Sequence, residues 1–264
     1  MKHKKQNHHS KRSQNNTSKK VKIDLFGMHA VREAFLNPKR HVHEIYLTES
    51  ARDGFQDALN QAQKEGLKRP SPQIIEKSVL DNSCPPGSVH QGIALNCQDL
   101  EELSIEDIIR AEDAKEKSVL IMLDQVTDPH NVGAIIRSAC AFGAAALILQ
   151  SKHAPALKGV LAKTACGAAE HLPVIYETNL TRTLEKLQDA GYFVYGLDER
   201  GHETIDQCSM APKTVLALGA EGDGLRRLVR EQCDQLVRLP TQEPILSLNV
   251  SNAAAVALYA CKGK

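Results

Sequence analysis

The chain has no tryptophan, and only five phenylalanines and five tyrosines in 264 residues. So small an aromatic stock argues against reading a long single strand of nucleic acid by stacking alone. No apolar run approaches the roughly 18 residues of a membrane-spanning helix. No apolar segment follows the basic N-terminus, so no secretory signal is read there. Cysteine occurs seven times, at Cys84, Cys97, Cys140, Cys166, Cys208, Cys233 and Cys261, but never as CxxC. An odd count without paired spacing gives neither a zinc site nor a disulfide framework. It fits reduced thiols serving as small hydrophobes in a cytoplasmic protein. His130, His153, His171 and His202 show no metal-ligand spacing either. The GxGxxG dinucleotide fingerprint and the Walker GxxxxGK[ST] loop are both missing, which counts against an α/β dehydrogenase or a kinase.

Acidic residues are missing from the first 20 positions, which carry Lys2, Lys4, Lys5, Lys11, Arg12, Lys19 and Lys20. With seven of the 33 Lys and Arg placed there, the rest of the chain holds 26 against 32 acidic residues. The body is mildly acidic and the N-terminus is a basic arm. Such an arm either meets a polyanion or acts as a solubilising tail. Residues 1–21 are poor in apolar side chains and read as disordered.

What is present is a globular composition, 42% hydrophobic and 25% charged. Residues 22–98 read as a small α/β unit. It has a strand or lead-in at Lys22 to Gly27, a helix over Met28 to Leu36, a strand at His43 to Leu47 and an amphipathic helix over Ala51 to Glu65. Segments at Ile74 to Leu80 and Gly92 to Leu95 complete it. Residues 99–117 are dominated by Glu, Asp and Lys and read as a linker with a short helix around Leu103 to Ile109. From Ser118 to residue 264 strand and helix patterns alternate. Strands are expected at Val119–Leu123, Ala145–Leu149, Val174–Tyr176, Tyr192–Tyr195, Val215–Leu218 and Gln235–Leu239. Helices are expected at Val132–Phe142, Lys158–Ala165, Leu180–Ala190, Leu225–Gln232 and Val250–Ala260. The short continuous runs Val119-Leu-Ile-Met-Leu and Ala145-Ala-Leu-Ile-Leu suit strands covered on both faces, hence a parallel sheet.

Three stretches leave polar residues at the ends of those strands. They are Asp124 to Arg137, with Asp128-Pro-His-Asn131 at its centre; Gly219-Ala-Glu221-Gly-Asp-Gly224; and Leu239-Pro240 leading to Ser247-Leu248-Asn249-Val-Ser251-Asn252. Open α/β sheets bind ligands at such ends. Singly, each stretch is explained as a turn or a helix cap. Arg137 falls within the apolar run Val132, Ile135, Ile136, Ala139 and Cys140, so it is expected to pair with a carboxylate or a phosphate.

Taken together, the three stretches resemble the motifs of the SpoU-type (SPOUT, TrmH-like) RNA ribose 2′-O-methyltransferases. The matching patterns are Asp-x-x-x-Asp-Pro-x-Asn-x-Gly-x-x-x-Arg, Gly-x-Glu-Gly-x-Gly and Ser-Leu-Asn-Val-Ser, in that order. Cys166-Gly-Ala-Ala-Glu170 and Asn179-Leu-x-x-Thr-Leu184 resemble the intervening family segments. Phe26-Gly-x-His29-Ala-Val-x-Glu33-Ala and His90-Gln-Gly-Ile-Ala are similar to the small ribosomal-protein-like substrate-binding domain of some members, most like the subgroup acting on a guanosine of 23S rRNA.

The resemblance implies an α/β fold in which that small domain precedes a parallel-sheet domain with a C-terminal trefoil knot. It also implies a homodimer and S-adenosyl-L-methionine as cofactor, with no metal. Leu218, Gly219, Leu239, Pro240 and Leu248 are the implied cofactor contacts. Asn131, Arg137, Glu221, Ser247 and Asn249 are the implied catalytic positions, and His29 and Arg32 are candidate RNA contacts. A guanidinium stays protonated and is a poor base, so Arg137 is read as a phosphate clamp that stabilises alkoxide charge, oriented by Asn131. tRNA is the rival substrate, and a nonenzymatic RNA-binding protein the rival class. The loop Thr241 to Leu246 lacks the Gly that many members carry there.

Overall fold

The computed structural model describes residues 20–245 and 247–262. Most of the basic arm lies outside the described residues. The first unit is a four-stranded sheet with three helices. In chain order it runs β1 (Leu25–Phe26), α1 (Met28–Leu36), β2 (Val42–Leu47), α2 (Arg52–Lys64), β3 (Gln73–Ile74), α3 (Lys77–Ser83) and β4 (Ile93–Cys97). The sheet order is β1-β4-β2-β3. Ile45, Leu47, Ile93 and Leu95 pack on α1 and α2 through Val31, Phe35 and Phe55. Phe26, Tyr46 and Ala94 occupy the other face against Leu80 of α3.

The second unit follows α4 (Ile105–Glu112). It comprises β5 (Ser118–Asp124), α5 (Pro129–Phe142), β6 (Ala146–Gln150), α6 (Gly159–Thr164), β7 (Val174–Glu177), α7 (Leu180–Asp189) and β8 (Phe193–Leu197). It then continues through β9 (Glu203–Thr204), β10 (Lys213–Gly219), α8 (Arg227–Gln232), β11 (Gln235–Arg238) and α9 (Val250–Lys262). The seven strands lie in the order β7-β6-β5-β10-β8-β11-β9, and every pairing is parallel. Alternate residues of β5 face opposite helix layers. Ile121 and Leu123 meet α5, α6 and α9, whereas Leu120 and Met122 meet α4, α7 and α8. Cover on both faces explains the unbroken apolar runs in the sequence.

Two helix starts depart from the sequence pattern. Helix α5 starts three residues early, because Asp128 caps it and Pro129 occupies its first position, where a missing N–H costs nothing. Helix α8 starts two residues late, because Arg226 is held in an extended conformation by Asp124. The acidic stretch after the first unit contributes α4, whose Ser104–Asp107 capping box starts the helix and whose Ile105 and Ile108 are buried against the second sheet.

The two units share packing. Ala162 of α6 lies in the core of the first unit, and Val160 packs against the Phe26–Leu80 cluster. The Gly159 N–H donates to the Asp24 carbonyl at 2.8 Å. Among the described residues no helix is long and apolar enough to cross a membrane.

Candidate active site

Strand β5 ends in Asp124, which is fully buried. Its carboxylate accepts from the Arg226 backbone N–H at 2.9 Å and from Arg226 Nε at 2.7 Å. This fixes the far end of the glycine-rich loop to the strand that begins the first motif. Four residues on, Asp128 Oδ1 accepts from the His130 N–H at 3.0 Å. The cap places Asn131 in the first turn of α5, facing the loop. Gly133 has a packing reason: a Cβ there would lie 2.7 Å from the Leu161 carbonyl oxygen and 2.8 Å from Thr164 Cβ.

The loop after β10 is a tight return. The Gly224 N–H donates to the Ala220 carbonyl at 3.0 Å, and Gly222 and Gly224 have φ of 83° and 69°, a region that favours glycine. Gly219 is required for a different reason. A Cβ on it would fall 2.0 Å from the Gly224 carbonyl carbon and 2.3 Å from the Leu225 nitrogen. The chain folds back onto its own strand end there.

Glu221 joins all three motifs. Its Oε1 accepts from Asn131 Nδ2 at 3.2 Å, from the Val250 N–H at 3.4 Å and from Asn249 Nδ2. Asn249 Nδ2 also donates to Asn131 Oδ1 at 2.9 Å. Asn249 Oδ1 in turn accepts from the Ser251 N–H at 2.9 Å and from its hydroxyl. Polar groups from three separate chain segments thus lock the start of α9 against the start of α5.

A cleft of about 780 Å³ opens beside this network. Leu218, Gly219, Glu221, Leu239, Ser247, Leu248 and Asn249 line it; Pro240, Asn131 and Arg137 do not. Thr241 is the one residue of the Gly-less stretch 241–245 that reaches the cleft. The sequence reading missed Leu197, the last residue of β8, and Asp198, Glu199 and Arg200 after it, which form another wall. The rule that located the other motifs, polar residues at a parallel strand's carboxyl end, applies to them equally. Cys233 lies near this wall. Burial, with help from Asp234, Asp198 and Asp124, pushes its thiol up to about 12, so it is no nucleophile at neutral pH.

Arg137 is exposed on α5 rather than lodged among apolar groups. At about 100° per residue it falls off the stripe formed by Val132, Ile135, Ile136 and Ala139. Its Nη1 donates to Cys166 Sγ at 3.4 Å. It stands six residues, about 9 Å, further along the helix than Asn131, and Asn131 is committed to Glu221 and Asn249. In the first unit His29 is exposed. Arg32 Nη1 donates to Glu33 Oε1 at 2.7 Å and its Nη2 to Gln61 Oε1 at 3.3 Å. Among the described residues, no group of three or more His, Cys, Asp or Glu could hold a metal ion.

A parallel sheet with a polar crevice at the carboxyl ends of its central strands defines a ligand-binding α/β protein, joined here to a second small α/β unit. Residues 118–259 match the SpoU rRNA Methylase family, and residues 25–103 match the family described as RNA 2′-O ribose methyltransferase substrate binding. The chain belongs to the SpoU rRNA methylase family. It is 38% identical over 237 residues to the 23S rRNA (guanosine-2′-O-)-methyltransferase RlmB of Haemophilus influenzae, covering 89% of this chain and 95% of the relative. It is 39% identical over 240 residues to that of Pasteurella multocida, covering 89% and 96%. The fold also matches the SpoU methyltransferase AviRb from Streptomyces viridochromogenes in complex with AdoMet. That match has a TM-score of 0.71 and 23% identity over 90% of this chain and 88% of the other.

Proposed function

We propose that this protein transfers a methyl group from S-adenosyl-L-methionine to the ribose 2′-hydroxyl of a guanosine in 23S rRNA. The observation that carries the reading is Glu221, whose single oxygen Oε1 ties Asn131, Asn249 and Val250 together at the edge of the cleft. The curated relatives carry this activity in their names and are matched over nearly their whole length.

The cleft fits the cofactor. Its volume is in the range of small-molecule sites, Leu218, Val237, Leu239 and Leu248 supply apolar walls, and the acids Asp198, Glu199, Glu221 and Asp223 outnumber Arg200 and Arg238, which suits a ligand carrying both a carboxylate and an excess of positive charge. When bound, the cofactor supplies an electrophilic methyl on a positively charged sulfur. The protein's task is then to bind and align. Gly219 lets the loop backbone close on the strand end, and Leu218, Leu239 and Leu248 would hold the cofactor. Glu221 acts as an organiser that holds Asn131 and Asn249, not as a free base. Arg137, exposed and cationic, takes a phosphate of the RNA and stabilises the negative charge that develops on the 2′-oxygen. Transfer of the methyl to the 2′-oxygen would leave the neutral thioether, and the hydroxyl proton would leave to the phosphate held by Arg137 or to water.

The same reading places the chain from β11 through α9 in a trefoil knot. Its support is that α9 returns from the β11 side of the sheet to pack on α5 at the other side of β10. It makes the protein a homodimer, with the exposed Val256 and Tyr259 of α9 beside Phe142 as the apolar face to be covered. It makes the protein cytoplasmic, where rRNA is its substrate. The deciding experiment maps 2′-O-methylated nucleotides in RNA from a strain lacking the gene. Loss of one guanosine methylation in 23S rRNA is expected. An unchanged rRNA with a lost tRNA methylation would replace the substrate, and no loss in either would overturn the reading.

A further inference from the structure

The segment Cys166-Gly-Ala-Ala-Glu170 has no place in the cleft, yet it touches both units. At one end Cys166 accepts from Arg137 Nη1. At the other, the Glu170 carboxylate receives Arg40 Nη2 at 2.6 Å, Arg40 Nε at 3.1 Å and Asn37 Nδ2 at 2.9 Å. The side chains of Arg40 and Glu170 are 4% and 3% exposed, and the remaining Arg40 Nη1 donates to the Gln98 carbonyl at 2.7 Å. Between the two ends lies Gly167, with φ of 87°. A Cβ on it would fall 2.3 Å from Glu33 Cγ and 3.2 Å from the His29 carbonyl oxygen. Helix α1, which carries both RNA candidates, is seated on that glycine. Just upstream, Lys158 bridges Asp24 and Asp99, and Ala162 belongs to the first unit's core. These contacts describe a docked domain and not a tethered one.

We propose that Cys166–Glu170 fixes the distance between the RNA-binding domain and Arg137, with Glu170 as the positioning residue, so that the bound RNA presents one ribose to the cleft. This rests on the RNA-methylating function proposed above. An rRNA offers many guanosines of identical chemistry, and a fixed distance from a bound RNA element to the reacting ribose distinguishes among them. A buried, fully satisfied ion pair is suited to fixing an orientation, because removing one member leaves the other charged and unpaired.

The test compares the full chain with Glu170→Gln and with the double variant Arg40→Met/Glu170→Leu, which removes both charges. Four quantities are measured: S-adenosyl-L-methionine affinity by calorimetry, kcat/KM on an rRNA fragment, the position of the methylated riboses, and the radius of gyration by X-ray scattering. For Glu170→Gln the expectation is cofactor affinity within twofold of wild type, kcat/KM reduced about tenfold or more, methylation spread to neighbouring riboses, and a larger radius. The double variant is expected to recover the compact radius and the single methylated position. Glu170→Gln with unchanged kcat/KM, a single methylated ribose and an unchanged radius would overturn the proposal. So would a double variant that stays as defective as the single one, including the case in which Glu170→Gln does not fold. Absence of ribose methylation by the wild type would overturn the function proposed earlier, while the scattering comparison would still decide whether Glu170 holds the domains.

Discussion

Arg137→Ala is expected to cut turnover on an rRNA fragment by about 10²-fold, the scale for losing one preorganised group that stabilises developing charge. Arg137→Lys keeps the charge but loses the planar fork and should recover only part of that loss. Turnover and RNA affinity must be measured separately. Full turnover at normal affinity in Arg137→Ala would remove Arg137 from the mechanism. Gly219→Ala places a methyl 2.0 Å from the Gly224 backbone, so the loop must move. Cofactor affinity by calorimetry should fall at least about tenfold, while an ordinary affinity would show that the loop has room to shift. The motifs containing these residues were legible in the sequence because backbone closeness demands glycine and a polar crevice demands side chains at strand ends. The partner of Arg137 was not legible. Its place off the apolar stripe follows from the helical period, but its thiol contact depends on where α6 and the following turn pass.

At the scale of elements, helix α5 meets α6 at Gly133. Gly133→Ala drives a Cβ to 2.7 Å from a carbonyl oxygen in α6 and should cost about 1–3 kcal/mol in denaturant unfolding. No change in midpoint would mean the helices can separate without penalty. Two thiols packed away from water, one in β4 and one after α8, give the fold a pH signature. Burial raises Cys97 to about 11 and Cys233 to about 12, against an ordinary value near 9. The folded state therefore holds these protons after the unfolded chain has lost them. The stability contribution is complete below about pH 9 and is lost as pH rises toward the folded values. The melting temperature should fall between pH 9 and 11, and Cys97→Ala should flatten that fall. Strand positions were read from apolar runs because a sheet covered on both faces needs no alternation. The short edge strand β9 was not read, because Glu203–Thr204 has neither length nor pattern.

For the whole molecule, charge is divided between the acidic body and the basic N-terminus. Deleting residues 1–20 removes seven cations and should flatten the salt dependence of RNA binding, measured as log Kd against log salt. An unchanged slope would make the arm a solubilising tail. The first unit, which matches a substrate-binding family, shares core residues with the second unit. Orientation between the two is therefore a packed-interface property and is sensitive to single buried substitutions.

By itself the sequence determined the parallel α/β class, the small preceding unit and the three motifs, because periodicity, turn chemistry and close backbone approach act locally along the chain. Only the tertiary structure decided that Glu221 gathers Asn131 and Asn249 and that Glu170 meets Arg40 across the domain seam. Those contacts join positions 28 to 130 residues apart, and no local pattern records which distant side chain will satisfy a buried or strand-end polar group.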